Sequence, residues 1–216
     1  MKRSPTNLLI EGSATLGVDM TPAQADAFDA YLGELLKWNA KTNLTAIEKP
    51  SEVVIKHFLD AIALCPLLPE GPFDAADIGS GAGFPGMAIK ILRPDMTILL
   101  IEPAKKKAVF LRHIARTLKL DGVTVIEEKA ESLAESHAGS FDVIFSRAFK
   151  APAGLLPVAS SLLKEDGRVI LSLGPGAPSE LPPGWSVFSE KEITLPFSDF
   201  CRRLLSLVKS STWNNI

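Results

Sequence analysis

The residues best suited to chemistry lie in one short run, Asp77-Ile78-Gly79-Ser80-Gly81-Ala82-Gly83-Phe84-Pro85-Gly86. An apolar, strand-like stretch leads into it and a helical one leaves it. Glycine is needed where a chain turns sharply or where backbone must approach a ligand with no Cβ in between. A nucleotide lying against the turn, close to the N-terminus of the next helix, is the ligand this pattern anticipates. Two cofactor chemistries compete for it. Gly81-x-Gly83-x-x-Gly86 formally matches the dinucleotide fingerprint, a short pattern of low specificity. Glu102 ends the following strand, where an acid meets ribose hydroxyls, but nicotinamide and S-adenosylmethionine enzymes both place an acid there. Asp77 separates them. A carboxylate two residues before Gly79 repels a pyrophosphate, whereas it accepts hydrogen bonds from loop amides or, through water, from a methionine ammonium. Pro85 also removes an amide that would otherwise cradle phosphate.

Asp-x-Gly-x-Gly-x-Gly is similar to the usual opening of class I methyltransferases, and S-adenosylmethionine is the cofactor expected. A nicotinamide dinucleotide, or a glycine turn with a packing role only, are the alternatives. Such a loop must be held between a strand and a helix. From residue 73 onward, short apolar runs alternate with helical spacing. Strands are predicted over 73–78, 97–101, 123–126, 141–145 and 168–173, and helices near 86–92, 104–118, 131–137 and 153–163. This alternation calls for a parallel sheet covered on both faces. Right-handed crossovers then place the ligand crevice at the carboxyl ends of the strands. A closing strand pair is expected over 185–189 and 202–208. The fold class expected is α/β, resembling a class I S-adenosylmethionine methyltransferase with a Rossmann-like, seven-stranded, mostly parallel sheet.

An N-terminal helical extension, residues 1–70, is expected to pack on the methyltransferase core, residues 71–216. In it Thr21 caps a helix, Pro22 takes the first helical position and Gln24 completes a capping box. Phe28, Leu32, Leu35 and Leu36 follow at helical spacing. Ser51 is predicted to cap a second helix with Ile55, Phe58, Leu59 and Ile62 on its apolar stripe. Val53, His57, Asp60 and Leu64 fall on its far side. Pro66, Pro69, Gly71 and Pro72 mark the boundary.

The whole chain sets limits. Its 216 residues are 46% hydrophobic and 22% charged, a globular balance. No apolar run approaches the ~20 residues that span a bilayer, and Leu8-Leu9-Ile10 is too short for a secretory h-region. A cytoplasmic protein with no membrane partner is expected. Cys65 and Cys201 belong to no metal-spaced cluster, so they read as ordinary thiols and no metal is assigned. The formal charge is −2, yet residues 90–119 carry eight bases against two acids, and residues 120–200 twelve acids against six bases. Such asymmetry permits a local surface for polyanions on a protein that is not basic overall.

Several blocks resemble the bacterial ribosomal RNA small subunit methyltransferase G family, also called glucose-inhibited division protein B. They are Trp38-Asn39 with Asn43-Leu44-Thr45-Ala46-Ile47, Lys56-His57-Phe58-Leu59-Asp60, the loop from Asp77 ending Gly-Phe-Pro-Gly, and Phe141 to Phe149 on the fourth strand. They run in order over roughly residues 30–175. The resemblance implies N7-methylation of a guanine in the 530 loop of 16S ribosomal RNA, with the RNA, the small ribosomal subunit or an assembly intermediate as partner; nothing in the sequence demands more than a monomer. By the same resemblance Gly79, Phe84 and Arg147 contact the cofactor, and Ala130 and Glu131 meet its adenine end. The chain departs from the family at Glu102-Pro103, where Asp-Ser is common, and at Lys56, where Arg is common.

The fourth-strand end, Ser146-Arg147-Ala148-Phe149, lacks the Asn/Asp-Pro-Pro-aromatic turn frequent in enzymes that methylate exocyclic amines. Guanine N7 has an in-plane lone pair and no proton to lose, so positioning suffices and no catalytic base is named. His57 is read either as a surface residue paired with Asp60 or as a residue beside the pocket, and Lys150 as a further substrate-side candidate. Arg147 contacts cofactor or substrate, or pairs within the core loops. Lys105-Lys106-Lys107 with Arg112, Arg116 and Lys119 forms a solvated helix face or a surface for RNA phosphates. Trp38 is a packing residue or a base-stacking platform.

Overall fold

The computed structural model describes residues 3–147, 152–176 and 180–210. Lys150 lies outside them. One sheet of seven strands runs in the order β3-β2-β1-β4-β5-β7-β6. The parallel strands are β1 (Asp74–Ile78), β2 (Thr97–Ile101), β3 (Val123–Ile126), β4 (Phe141–Ser146) and β5 (Leu163–Leu173). Antiparallel to β5 lies β7 (Cys201–Lys209), and β6 (Trp185–Thr194) closes the sheet as a hairpin with it.

Strand alternation sends side chains to two separate layers. Ala75, Ile98, Leu100, Val143 and Phe145 pack with Met87 and Ile89 of α5 (Gly86–Leu92) and with Phe110 and Ile114 of α6 (Lys105–Thr117). Ala76, Leu99, Ile144 and Val169 pack with Leu155, Leu156 and Leu162 of α7 (Pro152–Leu162). Each of these side chains larger than alanine contributes about 1.5–3 kcal/mol when fully buried. The result is a sheet sheltered on both faces, with its strand ends left as the place for a ligand.

The extension joins the first layer. Helix α1 (Pro5–Thr15) is capped by Ser4, and α2 (Pro22–Thr42) opens with the expected Thr21–Gln24 capping box. Phe28, Tyr31, Leu32 and Leu35 of α2 are buried in the same hydrophobic cluster as α5 and α6. The next helix departs from its prediction. It begins at Pro50, with Lys49 rather than Ser51 at the cap position and no side-chain cap. After α3 (Pro50–Val53) it widens into a π-helix over Val54–Leu59, then closes as α4 (Asp60–Ile62).

The residues expected on its far side are therefore not exposed. Val53, His57, Asp60 and Leu64 are all buried, as are Phe58, Leu59 and Ile62. Gly12 of α1 permits this close packing, because a Cβ there would lie 2.5 Å from a methyl carbon of Leu59. Other boundaries move too. The helix expected over 131–137 is a 3-10 turn, Ala130–Leu133, and β5 begins at Leu163 instead of 168. The closing strands are longer than expected at the ends that meet each other.

Candidate active site

The glycine loop leaves β1 and crosses the end of β2. Gly79, Gly81 and Gly83 have φ of 73°, 60° and 95°, the left-handed region that a side chain disfavours. The amides of Gly79 and Ser80 donate to the Ile101 carbonyl, at 2.9 and 3.1 Å, so β2 holds the turn from beneath. The amides of Gly83 and Phe84 donate to the Ser80 carbonyl. Gly81 donates to Glu102 Oε2 at 2.8 Å, and Gly86 to Asp77 Oδ2 at 2.9 Å. Pro85 has no amide to offer. A pyrophosphate needs a nest of unpaired amides, and here these donors are already satisfied within the protein. The anion at the start of α5 is the protein's own.

Asp77 is fully buried, and its Oδ1 has no hydrogen-bond partner. Burial pushes its carboxyl up to about 7, against the opposing pull of the Gly86 amide and the Arg147 charge. Glu102, also buried, accepts from the amides of Gly81 and Ala104 through different oxygens. Of the two, only Glu102 reaches the cavity wall, which Lys107 and Arg147 share, while Asp77 lies behind the loop and braces it through Gly86.

A cavity of about 340 Å³ opens above the loop, lined by Gly79, Gly81, Phe84, Glu102, His57 and Arg147 among others. The structure thus brings together most of the residues the sequence nominated. Ala130 and Glu131 are not in its lining. Ala130 is buried in the layer beneath α7, and Glu131 is exposed on the 3-10 turn. Phe84 reaches the cavity wall with its ring held between two others. Tyr31 stacks at 5.5 Å between centroids and His57 at 4.6 Å.

His57 is pinned. Arg147 donates to its Nδ1 at 2.9 Å, because a guanidinium can only donate. Its Nε2 therefore carries the hydrogen and donates to Thr45 Oγ1, also at 2.9 Å. Burial, aided by the Arg147 charge, lowers the ring to about 3, so it is neutral at physiological pH. The expected pairing with Asp60 is absent. Asp60 instead accepts from Ser172 at 2.6 Å and from Arg202 at 3.1 Å, with Arg147 at 3.8 Å. The guanidinium of Arg147 also lies over Phe84, 5.2 Å from the ring centroid.

Sequence reasoning missed Tyr31, whose hydroxyl donates to the Ala82 carbonyl inside the glycine loop. The signal was present: a tyrosine within an apolar helical stripe needs a partner for its hydroxyl. It also missed Thr45 as the partner of His57, and Ser172 and Arg202 as partners of Asp60. These come from distant strands and loops, and no spacing announces them. Trp38 is a packing residue, set against Phe110 and His113 at 5.5 and 5.1 Å. Of the basic run, Lys105 and Lys106 are exposed and Lys107 reaches the cavity wall.

Known proteins bear on this geometry. The family model for rRNA small subunit methyltransferase G matches residues 24–187. The ribosomal RNA small subunit methyltransferase G of Geotalea uraniireducens is 39% identical over 180 residues, spanning 83% of this chain and 82% of that one. Its counterpart in Geobacter sp. strain M21 is 36% identical over 213 residues, spanning 95% and 98%. A SAM dependent methyltransferase from Aquifex aeolicus superposes with a TM-score of 0.58 at 15% identity, covering 77% of this chain and 97% of its own, a likeness of fold. With its glycine loop, buried acids and matching extension, the chain belongs to the ribosomal RNA small subunit methyltransferase G family.

Proposed function

We propose that this protein uses S-adenosylmethionine to methylate N7 of a guanine in the 530 loop of 16S ribosomal RNA, within the small subunit or an assembly intermediate. One observation carries the choice of atom. Among the described residues, the cleft's acids and its histidine are already committed to protein partners. Glu102 accepts two amides, His57 is neutral and held at both nitrogens, and Asp77 is sealed behind the loop. None is poised to remove a proton. Guanine N7 has none to give.

When bound, S-adenosylmethionine supplies an electrophilic methyl group on a positively charged sulfur. Transfer of that methyl from sulfur to the N7 lone pair, with the carbon–sulfur electron pair left on sulfur, would release no proton. What remains for the protein is positioning and exclusion of water. Gly79 and Gly81 let the loop backbone come close, and Glu102 keeps lone pairs beyond its two amide bonds for ribose hydroxyls. Phe84 forms the wall against which Arg147 and His57 are set, and Arg147 stands at the end of β4 where cofactor and target meet. Ala130 and Glu131 are assigned to the adenine end by family likeness alone. Lys150 is kept as a substrate-side candidate on the same ground.

Labelled methyl transfer to purified small subunits lacking the modification, followed by nucleoside analysis, tests this reading. 7-Methylguanosine is the expected product. Label in a pyrimidine, or in protein only, overturns it.

A further inference from the structure

Three phenylalanines stand out on the described surface, and all belong to the β6–β7 hairpin: Phe188, Phe197 and Phe200, with 56%, 41% and 40% of their surface exposed. The last two form its tip, residues 195–200. That tip is a built turn. The Leu195 amide donates to the Phe200 carbonyl at 2.9 Å, and the Ser198 hydroxyl donates to the Leu195 carbonyl at 3.0 Å. Phe197 has φ of 63°, where a bulky aromatic is strained and glycine or asparagine is the ordinary choice. Strain of this kind, held at an exposed ring, points to use.

The tip's position points to the use. Because β7 runs antiparallel to β5, its first residues stand at the carboxyl end of β5. The tip therefore shares an edge of the sheet with the cofactor cleft, on the half beyond β4. Lys56 links the two. Its ammonium lies 4.5 Å from the Phe200 centroid, its carbonyl accepts from Arg147 at 3.4 Å, and the next residue, His57, lines the cleft. Arg3 lies over Phe197 at 5.1 Å. Both cations are already paired, Lys56 with Glu52 at 2.8 Å and Arg3 with Glu11 at 2.9 Å. The tip thus offers rings rather than uncommitted charge.

We infer that the Phe197–Phe200 tip is a stacking shelf for unpaired RNA bases that flank the guanine entering the cleft. Resting on the reading above, this adds where the substrate is gripped outside the cofactor site. Loops of RNA present unstacked bases, and aromatic rings receive them without regard to sequence. Held by the turn's own hydrogen bonds, the rings lose little freedom on binding.

Paired substitutions separate stacking from packing. Phe197→Leu with Phe200→Leu keeps apolar bulk and removes the rings, and Phe200→Trp keeps a ring. Binding is measured to unmodified small subunits at several salt concentrations, with S-adenosylmethionine affinity and Tm alongside. The double leucine variant should raise the Kd for subunits roughly tenfold to a hundredfold. Its salt dependence, cofactor affinity and Tm should match the unaltered protein, and Phe200→Trp should bind as tightly as the unaltered protein does. Equal subunit affinity in the leucine variant overturns the shelf, as does a loss that merely follows a fall in Tm. If the unaltered protein transfers no methyl group to any subunit while the leucine variant still loses affinity, the shelf stands and the proposed reaction falls. If both methylate at the same rate at subunit concentrations below the unaltered protein's Kd, the shelf alone falls.

Discussion

The sheet carries a cavity at each end, and the larger one is chemically the plainer. At the amino ends about 380 Å³ opens between Asp74, Thr97, Gly122 and Phe141, against about 340 Å³ over the glycine loop. The acids near the first are ordinary. Lys164 pairs with Asp142 at 2.9 Å and Asp74 at 3.3 Å, in the open, and the Thr97 hydroxyl donates to Asp74. At the other end the acids are buried, one carboxylate oxygen lacks a partner, and three glycines hold left-handed turns. Volume does not mark the site. What marks it is groups kept where burial and strain oppose them. If that is so, changes at the carboxyl end should move stability and cofactor affinity strongly and in different directions, while changes at the amino end should do little.

The largest effect is expected at Gly83. A Cβ there would lie 2.2 Å from the Tyr31 hydroxyl and 2.9 Å from Met87 Cβ, on backbone already at φ of 95°. Gly83→Ala should cost about 3 kcal/mol or more of stability in urea unfolding. In a Tyr31→Phe background the nearest obstacle is gone, so part of the loss should return, and additivity of the two changes would refute the contact. This glycine is fixed by the extension's tyrosine and by Met87 of α5 as well as by its own positive φ.

Asp77 ranks next, and its effect depends on pH. An unfolded aspartate titrates near 4, the buried one near 7. Between those values the folded chain binds a proton that the unfolded chain has lost. The contribution of Asp77 is thus fully present below about pH 4 and is lost as pH rises to 7, at up to about 1.4 kcal/mol per pH unit. Asp77→Asn keeps an acceptor for Gly86 and cannot ionise. The variant should therefore gain on the unaltered protein by a few kcal/mol between pH 4 and 7, while losing affinity for S-adenosylmethionine. Parallel stability curves across that window would show that the charge is not held at a cost.

How far this contrast was legible in the sequence follows from its parts. The glycine loop could be read because it is local: strand, turn and helix are consecutive, and glycine at a positive φ has few substitutes. Strand alternation and the parallel order were legible for the same reason. A period of 3.6 sets His57 and Asp60 on the far side of their helix, but the segment is a π-helix whose wider turn swings side chains onto another face, and of the two readings of His57 the one beside the pocket agrees with the cavity wall. A helix packed between α1 and the core also buries both sides, so no stripe separates inside from outside. The link from Asp60 to Ser172 and Arg202 joins residues more than a hundred positions apart, and spacing carries no trace of it.

Glu102 should show a smaller effect, and on binding more than on folding. Its two oxygens serve the amides of Gly81 and Ala104. A glutamine has one carbonyl oxygen, so Glu102→Gln must leave one amide without an acceptor and aim an N–H at it. An unmet hydrogen bond of this kind is worth about 1–3 kcal/mol. Because the loop shapes the cleft, most of that should appear as a roughly tenfold to hundredfold weaker Kd for S-adenosylmethionine in calorimetry. Unchanged affinity would mean that the acid braces α6 and does not shape the cleft.

The smallest effect is expected at the amino end, and it is the control for the others. Lys164 is 39% exposed and bridges Asp142 and Asp74, which are themselves solvent-accessible. Exposed pairs of this kind contribute about 0–1 kcal/mol, because water screens the charges and the lysine loses rotamer freedom to hold them. Lys164→Met keeps most of the aliphatic stem and removes both bridges. Stability should fall by less than about 1 kcal/mol, mostly at low salt, and cofactor affinity should not change. A loss of S-adenosylmethionine binding in this variant would mean that the two ends of the sheet are coupled through β1 and β4. The contrast between a bracing end and a binding end would then have to be abandoned.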